Sequence, residues 1–140
     1  MGSTKGGVVT RRRSHWLLVL AMLAALGCSK KYDIVPVHGA LTYEGQPVPG
    51  MIVRFTPAAG RFSDALTSAD GSFDMTYTLD TLGVEVDSHE ITVIWSPPTE
   101  AGGAKPPDVQ SKVLADFKKH GPIAVKIEKP QKNFEIKLPR

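Results

Sequence analysis

The sequence predicts an all-β fold, a seven-stranded antiparallel β-sandwich with one short helix in the long loop before the last two strands. Three observations lead there. From Val35 onward, apolar and polar residues alternate in short runs, the period of a half-buried strand. Gly, Pro and Asp-Gly turn signals interrupt these runs at short intervals, the spacing of a sandwich. Only one stretch, Val109, Val113, Leu114 and Phe117, recurs at helical spacing.

The elements follow in order. Val35, Val37, Leu41 and Tyr43 share one face of a first strand, with His38 and Thr42 on the other. Glu44-Gly45-Gln46-Pro47 makes a turn, and Met51–Phe55 a second strand ended by Pro57. After a loop over 58–61, Ala65–Ser68 reads as a third strand. Ala69-Asp70-Gly71-Ser72 is the sharpest hairpin signal, because Asp-Gly suits the primed turns that match strand twist. Phe73, Met75 and Tyr77 alternate with Asp74 and Thr76 in a fourth strand, followed by a loop over 79–83. In the fifth strand, His89–Trp95, the residues Ile91, Val93 and Trp95 share a face. Pro97-Pro98 stops it and opens the longest irregular stretch, which runs through Pro107. Asp108 caps and Gly121-Pro122 stops the predicted helix. Ile123–Ile127 and Phe134–Leu138, joined through Lys129-Pro130, complete the set.

Ahead of this domain lies a leader of three parts. Lys5 and Arg11-Arg12-Arg13 are cationic, Trp16–Leu26 is a run of eleven apolar residues, and small residues precede the only cysteine, Cys28. Eleven helical residues span about 16 Å, too short for a hydrocarbon core of roughly 30 Å. The segment reads as an export signal over 1–27, a tether over 28–34 and a domain over 35–140. Gly27-Cys28, preceded by Ala25 and Leu26, resembles the bacterial lipobox, with Ala25 standing where Leu is commoner. That resemblance implies diacylglycerol on the Cys28 sulfur, cleavage before Cys28 and acylation (palmitate) of the new amine. The implied partner is membrane lipid, and the implied location is an exported protein anchored to a bacterial membrane.

Charge supports no nucleic-acid role. Four of the 17 basic residues and none of the 14 acids lie in residues 1–27, so the mature chain holds 13 basic residues against 14 acids, a net −1. The basic character belongs to the leader, not to a nucleic-acid-binding surface. Within the mature chain, residues 32–100 carry two arginines against ten acids, and residues 105–140 carry nine basic residues against four acids. This is either a polar surface divided between sheets or a charged docking face. With a single cysteine, no intramolecular disulfide is available, and stability rests on packing.

Two motifs carry a family resemblance. Gly39-Ala40-Leu41-Thr42-Tyr43-Glu44-Gly45-Gln46-Pro47-Val48-Pro49-Gly50 and Thr67-Ser68-Ala69-Asp70-Gly71-Ser72-Phe73 flank Val53-Arg54-Phe55. Together they resemble the carboxypeptidase regulatory-like domain, a transthyretin-like or immunoglobulin-like sandwich found in small bacterial lipoproteins. The hallmark Asp after Thr67 is Ser68 here. In that reading Tyr43, Phe55 and Phe73 fill the core and the signature residues determine the fold.

No catalytic constellation is legible. His38, His89 and His120 each stand alone, and His89 and Glu90, adjacent on a strand, point to opposite faces and cannot share a metal. Asp64, Asp70, Asp74 and Asp80 fit no calcium-loop spacing. Transthyretin-like folds include hydroxyisourate hydrolase, with a histidine- and arginine-bearing cleft and a Tyr-Arg-Gly-Ser-type tail; the sequence Ile136-Lys137-Leu138-Pro139-Arg140 lacks that tail. Trp95 beside Pro97-Pro98 is either a core residue at a strand end or an aromatic face for a sugar or peptide. The expectation is a non-enzymatic, membrane-anchored lipoprotein without cofactor or metal. It would serve as a structural or binding module for an envelope protein or glycan. The alternative is an accessory subunit docking on an envelope enzyme or transporter through residues 96–122.

Overall fold

The computed structural model describes Gly2, Gly6, residues 32–98 and residues 103–138. The leader and the lipidation candidate Cys28 lie outside the described residues. The chain from Tyr32 onward forms its own unit. Its first half contains β1 (Ile34–Val35), β2 (Val37–Tyr43), β3 (Gln46–Pro47), β4 (Met51–Pro57), β5 (Ser63–Leu66), β6 (Ser72–Asp74) and β7 (Thr76–Thr78). Then come β8 (Thr81–Leu82), β9 (Val84–Glu85), β10 (Asp87–Trp95), α1 (Asp108–His120), β11 (Ile123–Ile127) and β12 (Gln131–Leu138). Among the described residues the protein is mostly β with one short helix, as the alternation predicts.

Twelve short strands replace the seven expected, because proline and a change of sheet cut the predicted runs. Pro36 has no N–H for a ladder and separates β1 from β2. At Met75 the chain leaves one sheet for another. Met75 N–H donates to Val37 O at 3.0 Å, its carbonyl accepts from Gly83 N–H at 2.7 Å, and β6 and β7 then pair with different partners. The larger sheet has the order β11-β10-β4-β5-β7-β8; the smaller has β12-β2-β3, with β6 also on β2, and β1 pairs β9 separately.

The Asp70-Gly71 turn forms, with Gly71 N–H donating to Ser68 O at 2.9 Å. It does not close a two-stranded ladder, however, since β5 lies in the larger sheet and β6 in the smaller. Gly71 has φ of +77°, and a Cβ there would come within 2.7 Å of Leu41 O. A tight turn that does join neighbouring strands is Glu44-Gly45, between β2 and β3. Its two successive positive φ values, 50° and 79°, are what a primed turn requires.

The strand pairing is not wholly antiparallel. β12 runs parallel to β2, with Phe134 opposite Gly39 and Leu138 opposite Tyr43. The short 128–130 link carries the chain from β11 in one sheet to β12 in the other, where Gln131 N–H donates to Pro36 O at 3.0 Å and sets the direction. Gly39 permits this contact, because a Cβ there would strike Phe134 O and the Phe73 ring.

Both sheets feed one core. Leu41 and Phe73 from the smaller sheet meet Met51, Phe55 and Ile91 from the larger, all at most 2% exposed. Each such side chain contributes roughly 1.5–3 kcal/mol by leaving water. Phe55 is central, with its ring 5.7 Å from that of Phe134 and 5.9 Å from that of His89. Tyr43 is only half-buried and packs at the edge of this core.

The helix forms where predicted, but Asp108 is its first residue and Pro107 its N-cap, with no side-chain cap bond. Gly121 ends it at φ of 81°, its N–H donating to Phe117 O at 2.8 Å. Val113 and Gln110 face inward, and the Gln110 amide donates to Pro49 O at 2.9 Å, fastening α1 against the domain. The Asp116 carboxylate, as a hydrogen-bond acceptor and then as a nearby charge, together with desolvation, raises the pKa of Tyr43 above its ordinary 10.0. Among the described residues, no helix is long and apolar enough to cross a membrane.

Candidate functional site

An open apolar feature lies at the edge where the two sheets part. β11 ends the larger sheet and β12 ends the smaller, and neither pairs with a further strand among the described residues. Alternation turns Ile123, Val125 and Ile127 inward on β11, and Phe134, Ile136 and Leu138 inward on β12. Ile127, Ile136 and Leu138 are buried, whereas Ile123, Val125 and Phe134 are only half-buried. These three side chains line a cleft of about 310 Å³ floored by Ile91. Its rim carries Glu135 and Lys137, ion-paired at 2.7 Å. Unpaired backbone edges above an apolar slot are suited to accept an extended strand.

A second feature is a buried carboxylate that sequence reasoning missed. Glu85 is 1% exposed. Its Oε1 accepts from the Tyr77 hydroxyl at 2.8 Å and from Arg61 N–H at 3.2 Å, while Oε2 has no protein partner. Arg61 Nε also donates to Tyr77 O at 3.0 Å, so the 58–62 loop is strapped onto β7. Gly60, at φ of +120°, makes room for this, since a Cβ there would collide with the Glu85 carboxylate. Donation to Glu85 raises the Tyr77 pKa above its ordinary 10.0. The surrounding Val-Glu-Val pattern suggests an outward Glu, but β9 is two residues long and the chain bends at Val86, so Val84 and Glu85 are both buried and Val86 is exposed.

The histidines serve local bonds. Buried His89 donates its Nε2–H to Glu85 O at 2.8 Å, and its Nδ1 has no protein partner; Glu90 faces outward as the strand period requires. His38 Nδ1 lies 2.8 Å from Asp74 on the exposed face of paired β2 and β6. His120 Nδ1 lies 3.0 Å from Asp116 O at the end of α1. Among the described residues, no three His, Cys, Asp or Glu side chains gather to hold a metal ion. Trp95 sits opposite Met51 at the end of β10, half-buried and packed on the core.

No family model, curated protein or solved structure matches the chain.

Proposed function

We propose that this protein is a non-enzymatic lipoprotein of the bacterial cell envelope, exported and held on a membrane by an acylated Cys28. Its β domain, of the carboxypeptidase regulatory-like type, would act as a structural or binding module for an envelope protein or glycan. One observation carries the reading. The only cysteine of the chain follows an eleven-residue apolar run at the position a lipidation signal needs, and the folded domain begins four residues later. Two or three acyl chains hold a protein durably, whereas one holds it reversibly. The β11–β12 cleft supports the binding half of the reading, since it offers both apolar area and free strand edges.

Cys28→Ser tests the anchor. The variant is expected to move from the membrane to the soluble fraction and to lose the thioether-linked diacylglyceryl mass; membrane retention without lipid would sink the reading. A second reading, an accessory subunit docking through residues 96–122, draws support from α1. This helix leaves Val109, Lys112, Lys118 and Lys119 exposed, and half-exposed Trp95 lies at the base of the same segment.

A further inference from the structure

The geometry points to a membrane-seating surface at the place where the chain enters the domain, with the β7–β8 hairpin tip placed in the interfacial layer of the bilayer. This inference rests on the acylated Cys28 proposed above. Tyr32 lies four residues after Cys28, and a fully extended chain covers at most about 14 Å over that distance. Whatever surrounds Tyr32 therefore lies close to the lipid surface. What surrounds it is set by hydrogen bonds. Ile34 and Val35 pair with Glu85 and Val84, and Val86 N–H donates to Asp33 O at 2.8 Å, so the entering chain is clamped to the segment that follows β8.

That neighbourhood is apolar where it meets solvent. Tyr32, Leu79, Leu82 and Val86 are four of the eight large hydrophobic side chains left exposed among the described residues, and Leu79 is 102% exposed. Leu79 and Asp80 form the tip of a hairpin closed by the Thr78–Thr81 pair. A bare leucine at a protruding turn costs solubility unless an apolar phase receives it. Tyr32, where the anchor enters, is of a residue type found at membrane interfaces, with an apolar ring and a polar end.

The tip is also rigidly backed. Tyr77, two residues before Leu79, donates to buried Glu85, and its carbonyl accepts from Arg61. The hairpin is thus held out rather than folded onto the domain. The charges beside it argue for lipid over an anionic protein partner. Asp33, Asp80 and Asp87 flank the patch and offset Lys30 and Lys31 of the tether, so attraction would come from apolar insertion, not from cationic headgroup binding. The buried Glu85 carboxylate, with its two donors, acquires a role in this arrangement: it fixes the hairpin relative to the point at which the anchor enters.

The test uses the full lipidated protein carrying Leu79→Cys, labelled with an environment-sensitive fluorophore and reconstituted in phosphatidylcholine vesicles containing a nitroxide-bearing lipid. The Cys28 sulfur, held as a thioether, does not compete for the label. Lys112→Cys on the exposed face of α1, which is fastened at Pro49 beyond the far end of β2, is the reference site, and both positions are exposed, so neither label disturbs packing. A blue-shifted emission at position 79, quenched several-fold more strongly than at 112, is the expected result. Equal quenching at the two sites, with the lipid adduct verified by mass, overturns this inference and leaves the anchor standing. A blue shift without nitroxide quenching means that protein covers the tip and also overturns it. Absence of the adduct overturns both the inference and the anchor reading.

Discussion

At the chain entry, Glu85, Tyr77 and Arg61 hold β9, β7 and the 58–62 loop by directed hydrogen bonds, and the carboxylate is buried. Along β11 and β12 the reverse holds: the inward side chains are Ile, Val, Phe and Leu, three of them half-buried, and the strand edges carry no further ladder. Directed bonds in a dry site fix a geometry, because a misplaced partner leaves a buried polar atom unsatisfied. Apolar contact is non-directional and tolerates an opening. The first arrangement suits a part of the domain that must keep its position relative to a tether. The second suits a part that can gain contacts when something binds.

The entry network should be the more costly to damage. Glu85→Ala removes both acceptor contacts, strands the Tyr77 hydroxyl and Arg61 N–H, and opens a void beneath Gly60. A loss of about 3 kcal/mol is expected, within the range for breaking a buried charged hydrogen-bond site. Tyr77→Phe, which deletes one donor and leaves the Arg61 contact, should cost about 1 kcal/mol. Urea unfolding with unchanged slope reads both. Equal losses would mean that the Tyr77 hydroxyl bond alone carries the carboxylate's contribution and that the Arg61 contact and the filled volume add nothing.

The open edge should yield less per atom removed. Phe134→Ala deletes a ring that touches Phe55 but already faces the cleft on one side. A fully buried Phe→Ala costs about 3–5 kcal/mol, whereas here about 1–2 kcal/mol is expected, because the space created joins a solvent-open cleft. A loss as large as that for Glu85→Ala would show that the edge is closed core, and the contrast between the two regions would fail.

The legibility of the two regions also differs. Alternation in Ile123-Ala124-Val125-Lys126-Ile127 reports which residues face inward, and the structure agrees. It does not report which sheet receives them. Period 2 specifies a face and not a partner, so the parallel pairing of β12 with β2 and the division of the β5–β6 turn between sheets were hidden. Both depend on contacts distant in sequence, such as Gln131 with Pro36. The 108–120 helix was legible because its pattern and its Gly121 stop are local. Glu85 was not, because its burial comes from Gly60, Arg61 and Tyr77, none of which its own neighbourhood announces. Phe55 and Phe73 were recognisable as core from the motifs alone, while Tyr43, read from the same motifs, is half-buried at the core edge.

The smallest expected effect separates burial from hydrogen bonding as the source of the entry network's strength. Asp70 accepts from the Ser72 hydroxyl at 2.6 Å and from Ser72 N–H at 3.0 Å, as Glu85 accepts from two donors, but Asp70 is exposed at a turn. The Ser72 hydroxyl, then the Ser72 N–H, lowers its pKa below the ordinary 3.8, with His38 adding a weaker pull. A carboxyl whose folded pKa is depressed stabilises the fold above its ordinary pKa and loses that contribution as pH falls through the folded value. Asp70→Asn should therefore lower the urea midpoint slightly at neutral pH. The gap from the parent protein should close as pH is taken below 3.8. A gap that persists unchanged through that acid range would assign the effect to turn geometry rather than to charge. If the neutral-pH loss rivals that for Glu85→Ala, two donors suffice wherever the carboxylate sits. If it is far smaller, the strength of the entry network comes from the exclusion of water around Glu85.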